Sequence, residues 1–178
     1  MIALVMVFYL FLALFAIIGS MRGWAKELLV VFSIVLALAL IWVLENLIPF
    51  VNTMIKSNEV IRYWVRTILI LSLTFFGYQS PKFSKFSKAS ERRDRIQDTL
   101  LGLIMGMFSG YFVIGTLWYY ANQANYPSLA KYIDPANPAV AEATRRALEL
   151  LPPVWLGEAP NVIIAVVLAF IFVIVVFL

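Results

Sequence analysis

The run GLIMGMFSG, from Gly102 to Gly110, sets three glycines four positions apart inside a strongly apolar stretch. In water a glycine in a helix interior costs about 1 kcal/mol relative to alanine, so a helix that keeps three needs an offsetting contact. On an α-helix Gly102, Gly106 and Gly110 fall on one stripe. Within lipid such a stripe lets a second backbone approach closely enough to gain packing that larger side chains would block. The stretch therefore reads as a membrane helix with a small-residue contact face, widened by Ser109 and Gly115. Ser109 can also hydrogen-bond a neighbouring helix or its own turn. An intramolecular partner is expected, with Ser33, Ala37 and Ala39 of the second apolar run as candidate counterparts.

Composition extends this reading to the whole chain. Of 178 residues, 63% are hydrophobic and 13% charged, with a mean hydropathy of +0.91, whereas soluble domains are about a quarter charged. The expected fold class is all-α, a polytopic transmembrane helix bundle forming a single membrane domain over residues 1–178. The chain has no Cys and no His, which removes disulfides, thiolate nucleophiles and imidazole metal sites. No cofactor and no metal are expected.

Five spans are expected near residues 1–19, 28–44, 61–78, 99–121 and 161–178. The first is uncharged and would cover about 28 Å at 1.5 Å per residue, close to the ~30 Å hydrocarbon core. It begins at Met1 without the basic start and A-x-A-like end of a cleaved signal peptide, so it reads as a retained span. Arg62 and Arg66 stand in the entry turns of the third run, from which they can snorkel to headgroups; a helix lying in the interface is the competing reading there. Trp118, Tyr119 and Tyr120 close the fourth run as interfacial rings. The fifth ends at Leu178 without a flanking Lys or Arg, a pattern consistent with a natural chain that continues.

The linker at 79–98, QSPKFSKFSKASERRDRIQD, holds six Lys/Arg against three acids, and residues 122–160 hold three against four. The basic linker is thus expected on the cytoplasmic side. That places Arg22 and Lys26 inside as well, and the N-terminus outside. In the outer linker, NPAVAEATRRALELLPP reads as an amphipathic helix with Asn137 as N-cap, Pro138 first and Pro152 ending it. Glu142–Arg146 and Arg145–Glu149 are expected as i,i+4 pairs.

Two stretches suggest lipid or partner contact. In GSMRGWAKE, residues 19–27, Gly19 and Gly23 are read as helix-ending and turn residues. Arg22 and Lys26 would hold anionic headgroups, and Glu27 would face the positive end of the next helix dipole. In KFSKFSK, residues 82–88, Lys82, Lys85 and Lys88 alternate with Phe83 and Phe86, and Arg92 and Arg93 follow. Basic residues draw such a segment to anionic lipid at about 1 kcal/mol each. The bilayer with anionic headgroups, other membrane proteins or self-association are therefore the expected partners, and nucleic acid is not. No ionisable residue lies deeper in any span, which disfavours a proton-coupled transporter. No linker carries a Ser/His, carboxylate-pair or phosphate-loop arrangement that would support catalysis.

The motifs R-G-x-x-K-E (Arg22, Gly23, Lys26, Glu27) and D-x-x-L-G-x-x-x-G-x-x-x-G (Asp98, Leu101, Gly102, Gly106, Gly110) resemble those of the colicin V production protein family, CvpA, of bacterial inner-membrane proteins. The likeness covers about residues 1–155. It implies four spans, and a role in colicin V export or envelope homeostasis without a defined biochemical activity. The family often has an acid early in its first span and basic residues just after the Asp and just before the third glycine. Here the first span has no acid, and those places hold Thr99 and Ser109. The expected function is non-enzymatic and exerted by helix packing with partner membrane proteins. The alternatives are an accessory subunit of a larger energy-converting or transport complex, in which Ala165 and Ala169 face a neighbour, and a small channel or passive transporter.

Overall fold

A computed structural model describes residues 4–49, 58–79, 92–127 and 138–177, and these hold helices and no strand. They are α1 (Leu4–Arg22), α2 (Trp24–Asn46), α3 (Glu59–Tyr78), α4 (Arg92–Gln123), α5 (Pro138–Glu149), α6 (Pro152–Leu156) and α7 (Asn161–Phe177). Helices α1, α2, α3 and the Ile96–Gln123 part of α4 are long and apolar enough to cross a bilayer. A fifth candidate lies where Ala141–Leu156 and Asn161–Phe172 meet at 68°. The chain is an all-α polytopic bundle of four to five candidate spans.

Helix α2 is apolar on all sides, and such a helix belongs inside. It is the bundle axis: Val30, Ile34, Ala37, Leu38 and Ile41 are buried, and around them pack Ile70 of α3, Phe112 and Val113 of α4 and Val162 of α7. Helix α3 inverts the soluble pattern. Its buried residues are Arg66, Thr67, Ile70, Thr74 and Gly77, one or two per turn, while Ile68, Leu71, Phe75 and Phe76 face outward. Lipid is as apolar as a core, so the polar stripe turns inward and the hydrocarbon stripe outward. This accounts for the mixed character of the third run and supports its reading as a span.

Helix α4 begins at Arg92, seven positions before the expected Thr99, because the linker's last two turns are already helical. Its closing aromatics differ from expectation. Trp118 and Tyr120 are buried, not lipid-facing: Trp118 stacks at 5.3 Å on Phe8 of α1, and Tyr120 joins the core around α2. Leu151 seals the Phe8–Trp118 cluster. Helix α5 starts at Pro138 as expected, and the Glu142–Arg146 and Arg145–Glu149 pairs form at 2.8 and 2.9 Å. On this surface helix the guanidinia of Arg145 and Arg146 hold the Glu142 carboxyl below its ordinary range. The expected cap, Asn137, lies outside the described residues. Pro152 does more than end α5: it opens α6, with Leu151 as an extended residue before it. Ala165 packs into the chain's own core and Phe172 meets Phe32 of α2 at 5.6 Å, so the α7 face expected to await a neighbour is partly occupied from within. Ala169, one turn after Ala165, is half-buried.

A candidate site where the hinge meets the glycine helix

One residue, Gly23, separates α1 from α2. Its φ of +88° and ψ of 152° lie in an extended positive-φ region that glycine enters freely and L side chains enter at a cost of about 1–3 kcal/mol. A Cβ there would also sit 2.8 Å from the Asp98 carboxylate of α4. The first residue of one motif is thus pressed against the second residue of the other, 75 positions away.

From this point the glycine stripe runs along α1. A Cβ added to Gly102 would strike the carbonyl oxygen of Gly19, and one added to Gly106 would strike that of Phe15. At Gly110 it would lie 2.7 Å from the Phe15 Cβ. Gly19 is reciprocal: it is helical and buried within α1, and its Cβ would come 2.6 Å from the Gly106 Cα. Two corrections follow. Gly19 does not end a helix but completes a backbone-to-backbone seam. The counterpart of the stripe is α1, not Ser33, Ala37 and Ala39; Ser33 lies against Gly77 of α3, and Ala37 is in the core.

Beside the seam four helices bring polar groups to one carboxylate. Glu27 of α2 is fully buried. Its Oε1 accepts from Arg22 Nη1 at 2.6 Å, and its Oε2 accepts from the Ser109 hydroxyl at 2.7 Å. The Gly106 carbonyl, 3.0 Å from the same hydroxyl, is the weaker competitor for its proton because it bears no charge. Arg22 also donates from Nη2 to the Tyr78 carbonyl at 3.1 Å, and its guanidinium lies 4.2 Å from the centre of the Tyr78 ring. Arg22 of α1, Glu27 of α2, Tyr78 of α3 and Ser109 of α4 therefore form one closed network. This adds to the reading of Arg22 and Glu27: Glu27 stands in the first turn of α2 as expected, and each of the two is also the other's partner. Lys26 is exposed and makes no ion pair among the described residues. The side chains of Arg92 and Arg93, and all of Lys82, Lys85 and Lys88, lie outside the described residues.

A second carboxylate stands at the opposite end of α2. Glu45 is eighteen positions beyond Glu27, which at ~1.5 Å per residue places it about 27 Å away, close to the hydrocarbon thickness. Arg66 Nε and Nη2 donate to its two oxygens at 2.6 and 2.7 Å, and Arg62 Nη2 adds a third bond at 2.8 Å. Arg66 Nη1 donates to Gln123 Oε1 at 2.6 Å, and its guanidinium lies 4.3 Å from the centre of the Tyr120 ring. The expected snorkelling of Arg66 does not occur, since a carboxylate within reach satisfies the guanidinium better than a route to the surface. The signal available in the sequence was scarcity: one acid and two arginines near facing ends of adjacent spans call for mutual pairing.

These networks lock helices together rather than leave a reactive group free. Among the described residues no three of Asp, Glu, Cys or His gather as a metal site. Asp98 and Glu45, acids on linkers and span ends, sit at opposite ends of the bundle.

Residues 4–137 match the family model described as Colicin V production protein. No curated protein and no solved structure is matched by the chain. The match contains both motifs, the seam and both carboxylate networks, and it ends just before α5. The chain belongs to the colicin V production protein family of membrane proteins.

Proposed function

We propose that this family member is a non-enzymatic, multi-pass protein of the bacterial inner membrane that acts in export or envelope homeostasis by packing against partner membrane proteins. The basic 79–98 linker lies on the cytoplasmic side in this reading, with the N-terminus outside. The observation that carries it is the direction in which the polar residues face. Glu27, Glu45, Arg66, Ser109 and the buried threonines point into the bundle, while α1, α3 and α7 present Leu10, Ile17, Leu71, Phe75, Ile164 and Leu168 outward. The glycine stripe is engaged by α1, so partners meet the aliphatic and aromatic outer face instead. A photo-crosslinking residue placed in turn at Ile17, Leu71 and Leu168, in native membranes, should yield a discrete protein adduct from at least one position. Adducts to lipid alone from all three would end this reading.

One observation favours a second reading, a passive conduit. The hydroxyls of Thr67, Thr74 and Thr116 are buried without a hydrogen-bond partner, and they lie on α3 and α4 between the two networks. Buried hydroxyls are ordinarily paired, with water where protein is lacking, and a conduit would pass along these three. Solute or ion flux into vesicles holding the purified chain, at the rate of empty vesicles, would dismiss it.

A further inference from the structure

At the Glu45 end the bundle opens into a cleft of about 380 Å³ bounded by α2, α3, α4 and the α6–α7 corner. Its volume falls within the ~300–1,000 Å³ of small-ligand sites. Its charge is unbalanced on one wall. Two guanidinia share the single carboxylate of Glu45, and Arg66 commits its donors to Glu45 and Gln123. Arg62 holds the same carboxylate more loosely, from Nη2 at 2.8 Å and Nε at 3.4 Å, on a side chain that is 24% exposed. Its remaining acidic neighbour, Glu59, is 3.9 Å away and 61% exposed, a pair that water screens.

The α6–α7 corner contributes the opposite sign. Glu158 lines the same cleft, is exposed, and has no ion pair among the described residues. Trp42 and Tyr119 also line the cleft, and aromatic faces attract ammonium groups. The cleft is thus cationic at Arg62 and anionic at Glu158. The pairing of its wall with Glu27 some 27 Å further along α2 puts it at the border of the hydrocarbon layer, the depth at which phosphate headgroups lie.

We propose that this cleft binds the headgroup of an amine-bearing phospholipid, with its phosphate on Arg62 and its ammonium on Glu158 and the flanking rings. The inference goes beyond the packing role and does not depend on it. The shared chemistry is a phosphodiester carrying an amine, and its source is the leaflet on the side opposite the basic linker.

The test uses the full chain, purified in mild detergent and stripped of lipid, then offered phosphatidylethanolamine, phosphatidylglycerol or phosphatidylcholine in mixed micelles, with bound lipid counted by native mass spectrometry. The expected result is at least five-fold more phosphatidylethanolamine retained than phosphatidylglycerol. Arg62→Gln should reduce that retention at least five-fold, and Arg62→Lys should restore part of it. Glu158→Gln, an exposed change that leaves the fold intact, should abolish the preference for the amine while leaving total phospholipid binding. Equal retention of the three lipids, or retention of phosphatidylethanolamine unchanged in both Arg62→Gln and Glu158→Gln, would overturn the proposal. Soluble glycerophosphoethanolamine displacing the lipid at equal concentration would overturn its assignment to the membrane.

Discussion

The two ends of α2 solve the same problem in different ways. Each buries a carboxylate close to a border of the hydrocarbon layer. Glu27 sits fully enclosed beside a seam in which backbones touch, and it has one arginine and one serine. Glu45 has two arginines and opens onto a cleft. At the hinge end the backbones of α1 and α4 touch, so small residues set the geometry, and the ion pair rests on a single arginine. At the other end a cleft opens between the helices, and long side chains line it. The difference separates an assembly joint from an accessible site, and it predicts unequal sensitivity to substitution.

The largest effect should come from the seam itself. Gly106→Leu drives a side chain into the Phe15 carbonyl and the Gly19 Cα, atoms that cannot move without displacing α1. The expected outcome is loss of the monodisperse folded species on size exclusion in detergent. Gly106→Ala already brings its Cβ against the same backbone atoms, so it too should displace α1 and lose more than the about 1–3 kcal/mol usual for overpacking. A Gly106→Leu protein with wild-type thermal stability would show that α1 is not docked on α4.

Arginine removal compares the two ends directly. Arg22→Gln leaves Glu27 buried and without its cation, and breaking a buried pair in this way costs about 3–5 kcal/mol. Arg62→Gln leaves Glu45 still held in two places by Arg66, so about 0–1 kcal/mol is expected, as for a partly solvated pair. Thermal unfolding in one detergent, monitored by circular dichroism, measures both. Equal losses would mean that the second arginine provides no redundancy.

What could be read from the sequence follows the same division. Spans were legible because hydrocarbon thickness dictates their length, and the apolar runs of this chain obey it. The glycine stripe was legible as a contact face, since three residues in helical register have few other uses. Its partner was not, because Gly19 has two meanings, helix end and close contact, and only the position of α1 distinguishes them. Likewise Arg22 and Glu27 announced themselves as a motif, but a pair five positions apart across a hinge depends on how Gly23 bends the chain. Trp118 and Tyr120 were misplaced because rings near a span end satisfy either a headgroup layer or a bundle cap, and helix order decides which. The Glu45 network needed the same knowledge of which span ends are neighbours.

Ser109 offers a smaller and sharper test. Ser109→Ala removes a donor to a buried charged acceptor, worth about 1.5–3 kcal/mol. The resemblance to relatives places a basic residue here, so Ser109→Lys supplies Glu27 with a second cation from α4. In the Arg22→Gln background Ser109→Lys should raise stability above that of Arg22→Gln alone. A double variant no more stable than the single one would show that Ser109 and Arg22 do not share Glu27. Gly23→Ala is expected to lose about 1–3 kcal/mol for an L residue in this backbone conformation and more for its clash with the Asp98 carboxylate, and Asp98→Ala should relieve the second part alone.

The smallest effect belongs to the ion pairs of α5, which share the chemistry of both ends of α2 and lack the burial. Glu142 is held by Arg145 and Arg146 at 3.0 and 2.8 Å, yet all three side chains are well exposed. Water already solvates each partner, and the pair competes with that solvation rather than replacing it. Glu142→Gln should therefore leave the unfolding temperature of the bundle unchanged within measurement. The direction with pH is still defined. Because the folded carboxyl lies below its ordinary range, whatever support it gives α5 is present above the ordinary carboxylate range and is lost as pH falls through the depressed value. A Glu142→Gln variant that unfolds as early as Arg22→Gln would break the comparison at its root, since charge alone, and not the dryness of its surroundings, would then decide what an ion pair contributes to this fold.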